Sequence, residues 1–128
     1  MVFMYDKSLI LEILEQIIDA VEIVEERCAS VTDTDYLIET KDGQKTLDSI
    51  CMKFIAVGES LKNIDVITNK ELLREYNQIE WKKIKGIRDF ISHHYFDLDA
   101  EVIYGICKNN IGDLLVILRE VYDDLSKK

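Results

Sequence analysis

Apolar residues recur at three- and four-residue intervals along most of this chain, the spacing that lines up side chains on one face of an α-helix. Over 5–28, Ile10, Ile13, Leu14, Ile17, Val21 and Val24 fall on such a face, while Glu12, Glu15, Asp19, Glu22 and Glu26 lie largely off it. The run Ser30-Val31-Thr32-Asp33-Thr34-Asp35 is rich in side chains that cap helices or compete with them for backbone hydrogen bonds, so the first helix is expected to end there. A short turn or helix over 36–39 leads to a second long helix over 43–64, carried by Leu47, Ile50, Cys51, Phe54, Val57 and Leu61. Within it, Gly58 can let another helix approach closely. The pattern then predicts a shorter helical stretch over 68–76, a break at Asn77-Gln78 and a fourth helix over 81–96. Asp99 is a plausible N-cap for a last helix whose stripe is Val102, Ile103, Ile106, Leu114, Leu115, Leu118, Val121 and Leu125. Gly105 and Gly112 weaken that helix locally or mark close contacts.

No segment alternates apolar and polar residues between turn signals, so a sheet is not expected. Proline is absent and the five glycines never cluster, which leaves no linker or second domain in view. The expectation is one all-α domain over 1–128, an antiparallel bundle of four to five helices. At 128 residues, 48% of them apolar, the chain can bury a core without disulfides or a structural metal.

Composition narrows the setting. No window approaches the run of about 18 apolar residues that spans a bilayer. The segment Met1-Val2-Phe3-Met4-Tyr5-Asp6 shows no basic stretch followed by an apolar one, so a cytoplasmic, non-membrane protein is expected. Cys28, Cys51 and Cys107 are odd in number, far apart and set among apolar residues, and read as core side chains. Two adjacent histidines and no Cys-x-x-Cys pair make no recognisable zinc site, so chemistry independent of metals and cofactors is expected. A net charge of −9 counts against indiscriminate binding of nucleic acid. The distribution matters more: 5–27 carries seven acids against two bases, whereas 81–95 carries Lys82, Lys83, Lys85 and Arg88 against Asp89 alone.

Residues 88–96 gather both histidines, an arginine, two hydroxyl side chains and a carboxylate. Cleaving RNA without a metal requires a base for the 2′-hydroxyl proton, an acid for the leaving 5′-oxygen and a cation for the charge on the phosphorane. Histidine exchanges protons near neutral pH, and arginine stays charged and grips phosphate through paired hydrogen bonds. His93 and Arg88 are therefore the candidate catalytic residues. Asp89, four residues before His93, is placed to orient its ring, and Ser92 and His94 are supporting candidates. Arg88 and His93 are five positions apart, so on a regular helix they point about 140° apart. A symmetric dimer, joining two copies of the motif across a two-fold axis, would bring arginine and histidine into one cleft.

The form Arg88-x-x-x-x-His93-x-Tyr95 resembles the signature of HEPN-superfamily ribonucleases of the HepT type, and Gly58-Glu59-Ser60-Leu61-Lys62-Asn63 resembles a second stretch of that family. Trp81 also stands a few residues ahead of the motif arginine, as it often does in HepT-like chains. The resemblance runs from about residue 43 through the last helix. It implies a metal-independent RNA endonuclease, homodimeric or of higher order, that acts as a toxin. The implied partner is a minimal nucleotidyltransferase antitoxin of the MntA type, which transfers AMP to the motif tyrosine, here Tyr95. AMP on a tyrosine beside the cleft adds negative charge and bulk where an RNA phosphate must enter. Two features depart from the family pattern: Asp89 stands where many relatives have asparagine, and His94 supplies a second histidine. The tyrosine spacing favours His93.

Plainer roles fit other residues. Lys82, Lys83 and Lys85 guide RNA or form a solvated face, Glu59 can pair with Arg88 within the bundle, Trp81 is a packing anchor, and Phe90, Ile91 and Phe96 belong to the core or a dimer contact. Tyr104 has no functional warrant. Two alternative functions remain open: a non-catalytic HEPN subunit that presents substrate or nucleotide to a nucleotidyltransferase, and a plain helical dimerisation module.

Overall fold

A computed structural model describes residues 5–97 and 99–128, with the side chain of Tyr95 outside that description. Among the described residues, six α-helices follow one another: α1 (Lys7–Ala29), α2 (Thr34–Glu39), α3 (Lys41–Ile67), α4 (Trp81–His93), α5 (Ala100–Asn109) and α6 (Ile111–Ser126). Short 3-10 turns lie at Leu73–Glu75 and Tyr95–Asp97, and no strand occurs among the described residues. The all-α bundle read from the apolar pattern is the architecture observed.

Side-chain oxygens start most of these helices. Asp6 accepts from the Leu9 N–H at 3.1 Å, Asp33 from Tyr36 at 3.0 Å, Thr40 from Gly43 at 2.8 Å and Asp99 from Glu101 at 3.0 Å. The joint between α2 and α3 needs Gly43, because a Cβ there would stand 1.8 Å from the Tyr36 carbonyl oxygen. The cap at Asp33 and the end of α1 both fall in the polar run 30–35, as that run predicts.

Apolar faces of α1, α3, α4, α5 and α6 meet in one cluster, in which Ile10, Leu14, Val24, Leu61, Ile64, Ile103, Leu118 and Val121 have no accessible surface. Burial of each such side chain contributes about 1.5–3 kcal/mol relative to leaving it in water. The acidic residues of α1 that lie off its apolar face, Glu12, Glu15, Asp19, Glu22 and Glu26, are exposed. Pairs of partners show that α1 and α6 run antiparallel: Glu22 meets Arg119 at 3.2 Å, and Glu15 accepts from Tyr122 at 3.3 Å. Helices α3 and α4 do the same, with Asp65 paired to Lys85 and Glu59 to Arg88. Cys28 and Cys51 are buried and all three cysteines are free thiols. Burial and the nearby Asp48 charge push the Cys51 thiol up to about 12.

Three elements differ from the expectation. Thr68 ends α3 instead of opening a helix: its hydroxyl donates to the Ile64 carbonyl at 2.7 Å, and Asn69 and Lys70 take left-handed backbone with φ of 53° and 62°. Right-handed helix cannot pass through two such residues. The apolar spacing that suggested helix over 68–76 belongs to Leu72, Leu73 and Tyr76, buried from an irregular segment containing a single 3-10 turn. The fourth helix stops at His93, where the His94 N–H closes it on Phe90 and Ile91 carbonyls at 3.2 and 3.3 Å. The last stripe is divided between α5 and α6 at Asn110, whose N–H donates to Ile106 at 2.9 Å while its backbone leaves helical angles. Gly105 and Gly112 mark no close contact, since a Cβ on either would meet nothing within 4 Å.

Trp81 fixes the start of α4. It is buried, and its indole nitrogen donates to the Tyr76 carbonyl at 2.9 Å. The packing role expected of it is the one observed. Among the described residues, no helix is long and apolar enough to cross a membrane.

Candidate active site

Helix α4 carries the motif along the outside of the bundle. Its apolar residues Ile87 and Ile91 are buried, which fixes the rotation of the helix and leaves Asp89, Ser92 and His93 exposed and Arg88 half-buried. Arg88 lies over Gly58 of α3, where a Cβ on the glycine would be 3.1 Å from the Arg88 Cβ and 3.3 Å from the Lys85 carbonyl oxygen. Glycine thus lets the two helices close to the distance at which the side chains of α3 reach those of α4.

At that contact four charges of alternating sign form a ring. Arg88 Nε stands 3.1 Å from Glu59 Oε1, and Arg88 Nη1 donates to Asp89 Oδ1 at 3.0 Å. Lys62 Nζ is 3.7 Å from Asp89 Oδ2 and 3.9 Å from Glu59 Oε1. The Arg88 Nε is buried, and Glu59 lies off the line of its N–H, so the two attract as charges without a hydrogen bond. The hydrogen bond from Arg88, helped by the Lys62 charge, holds the Asp89 carboxyl below its ordinary value. One turn further along, Lys85 is bonded to the largely buried Asp65, which leaves Lys82 and Lys83 as the exposed part of the basic strip; Lys83 pairs with Glu80 at 3.3 Å.

The sequence-derived site residues are distributed as follows. Arg88 and Asp89 are joined to each other and to α3. The Asp89 carboxylate is turned toward Arg88 and Lys62 and makes no hydrogen bond to His93, so its four-residue spacing from His93 reflects proximity and charge only. His93 is the last residue of α4, exposed and without a hydrogen bond among the described residues. Ser92 is exposed beside it. His94, just past the helix, lies against the Phe90 ring at 5.2 Å between centroids, with Nδ1 4.0 Å from Asp97 Oδ1. Tyr95 follows in the 3-10 turn; its side chain, on which the expected modification falls, lies outside the described residues. Arg88 and His93 share one continuous helix, so the divergence of about 140° expected of regular geometry applies to them. One copy of α4 does not bring them together.

Sequence reasoning missed Lys62. Its signals were the proximity of a glycine that permits helix contact and the Glu59–Lys62 spacing of one helical turn, which together place a cation beside whatever Glu59 meets.

An all-α bundle that displays an arginine and a histidine on one surface helix is the arrangement of the HEPN class of ribonucleases. A model of the family described as "Ribonuclease HepT-like" matches residues 10–121, and the chain belongs to that family. The protein named "Putative RNase MJ0127" of Methanocaldococcus jannaschii is 28% identical over 123 residues, 96% of this chain and 87% of that protein. "Probable ribonuclease HepT" of Thermococcus cleftensis is 29% identical over 101 residues, 79% of this chain and 84% of that protein. "Gamma-glutamylcyclotransferase and putative RNase MJ0434", also of M. jannaschii, is 25% identical over 114 residues; 89% of this chain aligns but only 48% of that protein, so the chain spans about half its length. No solved structure matches significantly.

Proposed function

We propose that this protein is a metal-independent endoribonuclease whose active unit is a homodimer, with Arg88 and His93 of both copies lining one cleft. The observation that carries the reading is the exposed imidazole of His93, without a hydrogen bond among the described residues, at the end of the helix that also presents Arg88. In the reaction, an imidazole takes the proton of the 2′-hydroxyl as that oxygen attacks phosphorus. The 5′-oxygen gains a proton as the P–O5′ bond breaks, from the imidazolium so formed or from water. The products are a 2′,3′-cyclic phosphate and a 5′-hydroxyl. Arg88 neutralises the charge that builds on the phosphoryl oxygens. His93 suits the proton transfers better than His94, because the motif's tyrosine spacing favours it and the His94 ring lies against Phe90.

In this reading the protein is a toxin, and a MntA-like nucleotidyltransferase antitoxin controls it by placing AMP on Tyr95. The family resemblance supports that control, and so does the position of Tyr95 two residues past His93. The deciding experiment is cleavage of RNA by the purified protein in excess chelator, with the ends analysed. Cyclic phosphate ends that disappear with His93→Ala are expected. Equal cleavage by wild type and variant would remove the enzymatic reading.

One observation favours a second reading. Arg88 is already neutralised by Glu59 and Asp89, as befits an ion pair that holds α4 on α3 in a non-catalytic HEPN subunit serving a nucleotidyltransferase. That reading expects no cleavage and a stable complex with the transferase that survives His93→Ala.

A further inference from the structure

The charge ring between α3 and α4 contains a cation that the motif does not include. Lys62 projects from α3, half-exposed, and its ammonium stands 3.7 Å from Asp89 and 3.9 Å from Glu59. Both distances are beyond a hydrogen bond, so its N–H donors are not engaged by either carboxylate. Asp89, by contrast, bridges two cations through separate oxygens: Oδ1 receives Arg88 and Oδ2 faces Lys62. A phosphodiester also offers two unbridged oxygens to two cations, and like a carboxylate it carries one negative charge.

We propose that Lys62 is a second phosphate-binding residue. Lys62 and Arg88 form a two-cation cradle for a phosphodiester of RNA, and in the free protein the Asp89 carboxylate occupies it. The inference rests on the reading of RNA as substrate. A phosphodiester would take the place of the Asp89 carboxylate between the two cations while Glu59 stays beside the Arg88 Nε. Asp89 is exposed and can turn to water, and ion pairs at exposed positions are weak, so displacement is easy. Gly58 sets the spacing by bringing α3 close enough for Lys62 and Arg88 to face one anion. On a strongly acidic protein the cradle offers RNA two cations at one point, with the acidic face of α1 elsewhere.

The test measures binding separately from cleavage. A short single-stranded RNA with every 2′-hydroxyl methylated cannot be cut by attack of that hydroxyl. Its affinity for the full chain is measured from about 50 to about 200 mM salt, a range over which released counterions report phosphate contacts. Lys62→Gln should weaken binding about fivefold at the low end and reduce the slope of log affinity on log salt by about 0.7, the value for one contact on a single strand. Lys62→Arg should restore both, and Asp89→Asn should tighten binding. Lys41→Gln is the control for bulk charge, on the same helix but about 30 Å away at 1.5 Å per residue. Thermal melts check that each variant is folded.

An unchanged slope in Lys62→Gln overturns the cradle. So does an equal loss in Lys41→Gln, or failure of the wild type to bind. Cleavage in chelator is scored in parallel. If wild type cuts RNA and Lys62→Gln binds as well as wild type, the cradle alone fails. If Lys62→Gln flattens the slope but no form cuts RNA, the cradle stands and the nuclease reading fails.

Discussion

Gly58 of α3 lies so close to Arg88 of α4 that a Cβ on the glycine would stand 3.1 Å from the arginine Cβ. Contacts that tight oblige one side to yield by a few tenths of an ångström, and the side that yields carries the motif arginine. In Gly58→Ala, two effects on stability oppose each other: alanine favours helix over glycine by about 1 kcal/mol, and the crowded interface returns a comparable cost. The melting temperature should therefore move by only a few degrees. Activity has no such compensation, since a displacement of about 1 Å can lower a rate 100-fold, and the smaller shift here should lower cleavage about 3- to 10-fold. Gly58→Val adds two more methyl groups and should cost about 1–3 kcal/mol as well. Melting curves and cleavage rates measured together separate the two effects.

If Glu59 acts through Arg88, beside whose Nε its carboxylate stands at 3.1 Å, it is a positioning residue for the guanidinium. Its carboxylate sits beside the buried Nε, while Nη1 donates to Asp89. Glu59→Ala should lower kcat about 10-fold with little change in KM, because the arginine remains present but badly aimed. Stability should change by less than about 1 kcal/mol, as for other half-exposed ion pairs. Glu59→Gln keeps the shape and loses the charge, and should fall between the two. A KM that rises while kcat holds would instead place Glu59 among the binding residues.

The ring also has a pH signature. Arg88 and Lys62 hold the Asp89 carboxyl below its ordinary 3.8. The folded value is the lower one, so the group's stabilising contribution is complete above the unfolded value. It declines as pH falls from there and is lost once pH drops through the lowered folded value. A titration of Asp89 followed by nuclear magnetic resonance should give a midpoint below 3.8, rising in Lys62→Gln and rising further in Arg88→Gln, which removes the hydrogen bond. A midpoint that ignores both substitutions would mean that the ring does not persist in solution.

The sequence made the helices legible where the apolar period was long and the caps were explicit. Asp33 and Asp99 cap as their side chains suggest, and α1 and α3 lie within a few residues of the pattern that predicted them. It failed at Thr68 and Asn110, where backbone turns interrupt a stripe that the side chains continue. An apolar spacing records which residues are buried, not whether the chain between them stays helical. The site divided along the same line. Arg88 and His93 were readable because one local segment carries both, and a pairing of Glu59 with Arg88 was foreseen from the chemistry of the two. Lys62 was not, since its partnership with Asp89 spans 27 positions and exists only because α3 and α4 pack antiparallel at Gly58. The spacing of Asp89 from His93 suggested an orienting hydrogen bond, but two cations nearby claim the carboxylate first.

The divergence of Arg88 and His93 on α4 leads to a test that depends on neither structure nor sequence. If each working pair takes its arginine from one copy and its histidine from the other, Arg88→Ala and His93→Ala are each inactive alone but complementary together. A mixed dimer keeps the arginine of the His93→Ala chain and the histidine of the Arg88→Ala chain, which is one complete pair across the two-fold axis. If the working pair lies within a single chain, every chain of the mixed dimer is defective and mixing restores nothing. Unfolding the two variants together, refolding the mixture and assaying RNA cleavage in chelator should therefore recover a sizeable fraction of wild-type activity, with each variant alone near background. The double variant mixed with wild type is the control: its mixed dimers hold no complete pair across the axis, so activity should fall below that of the wild-type portion as subunits exchange. Recovery in the first mixture together with loss in the second can arise only from a site built by two chains, and the regular helix between residues 88 and 93 is the reason to expect it.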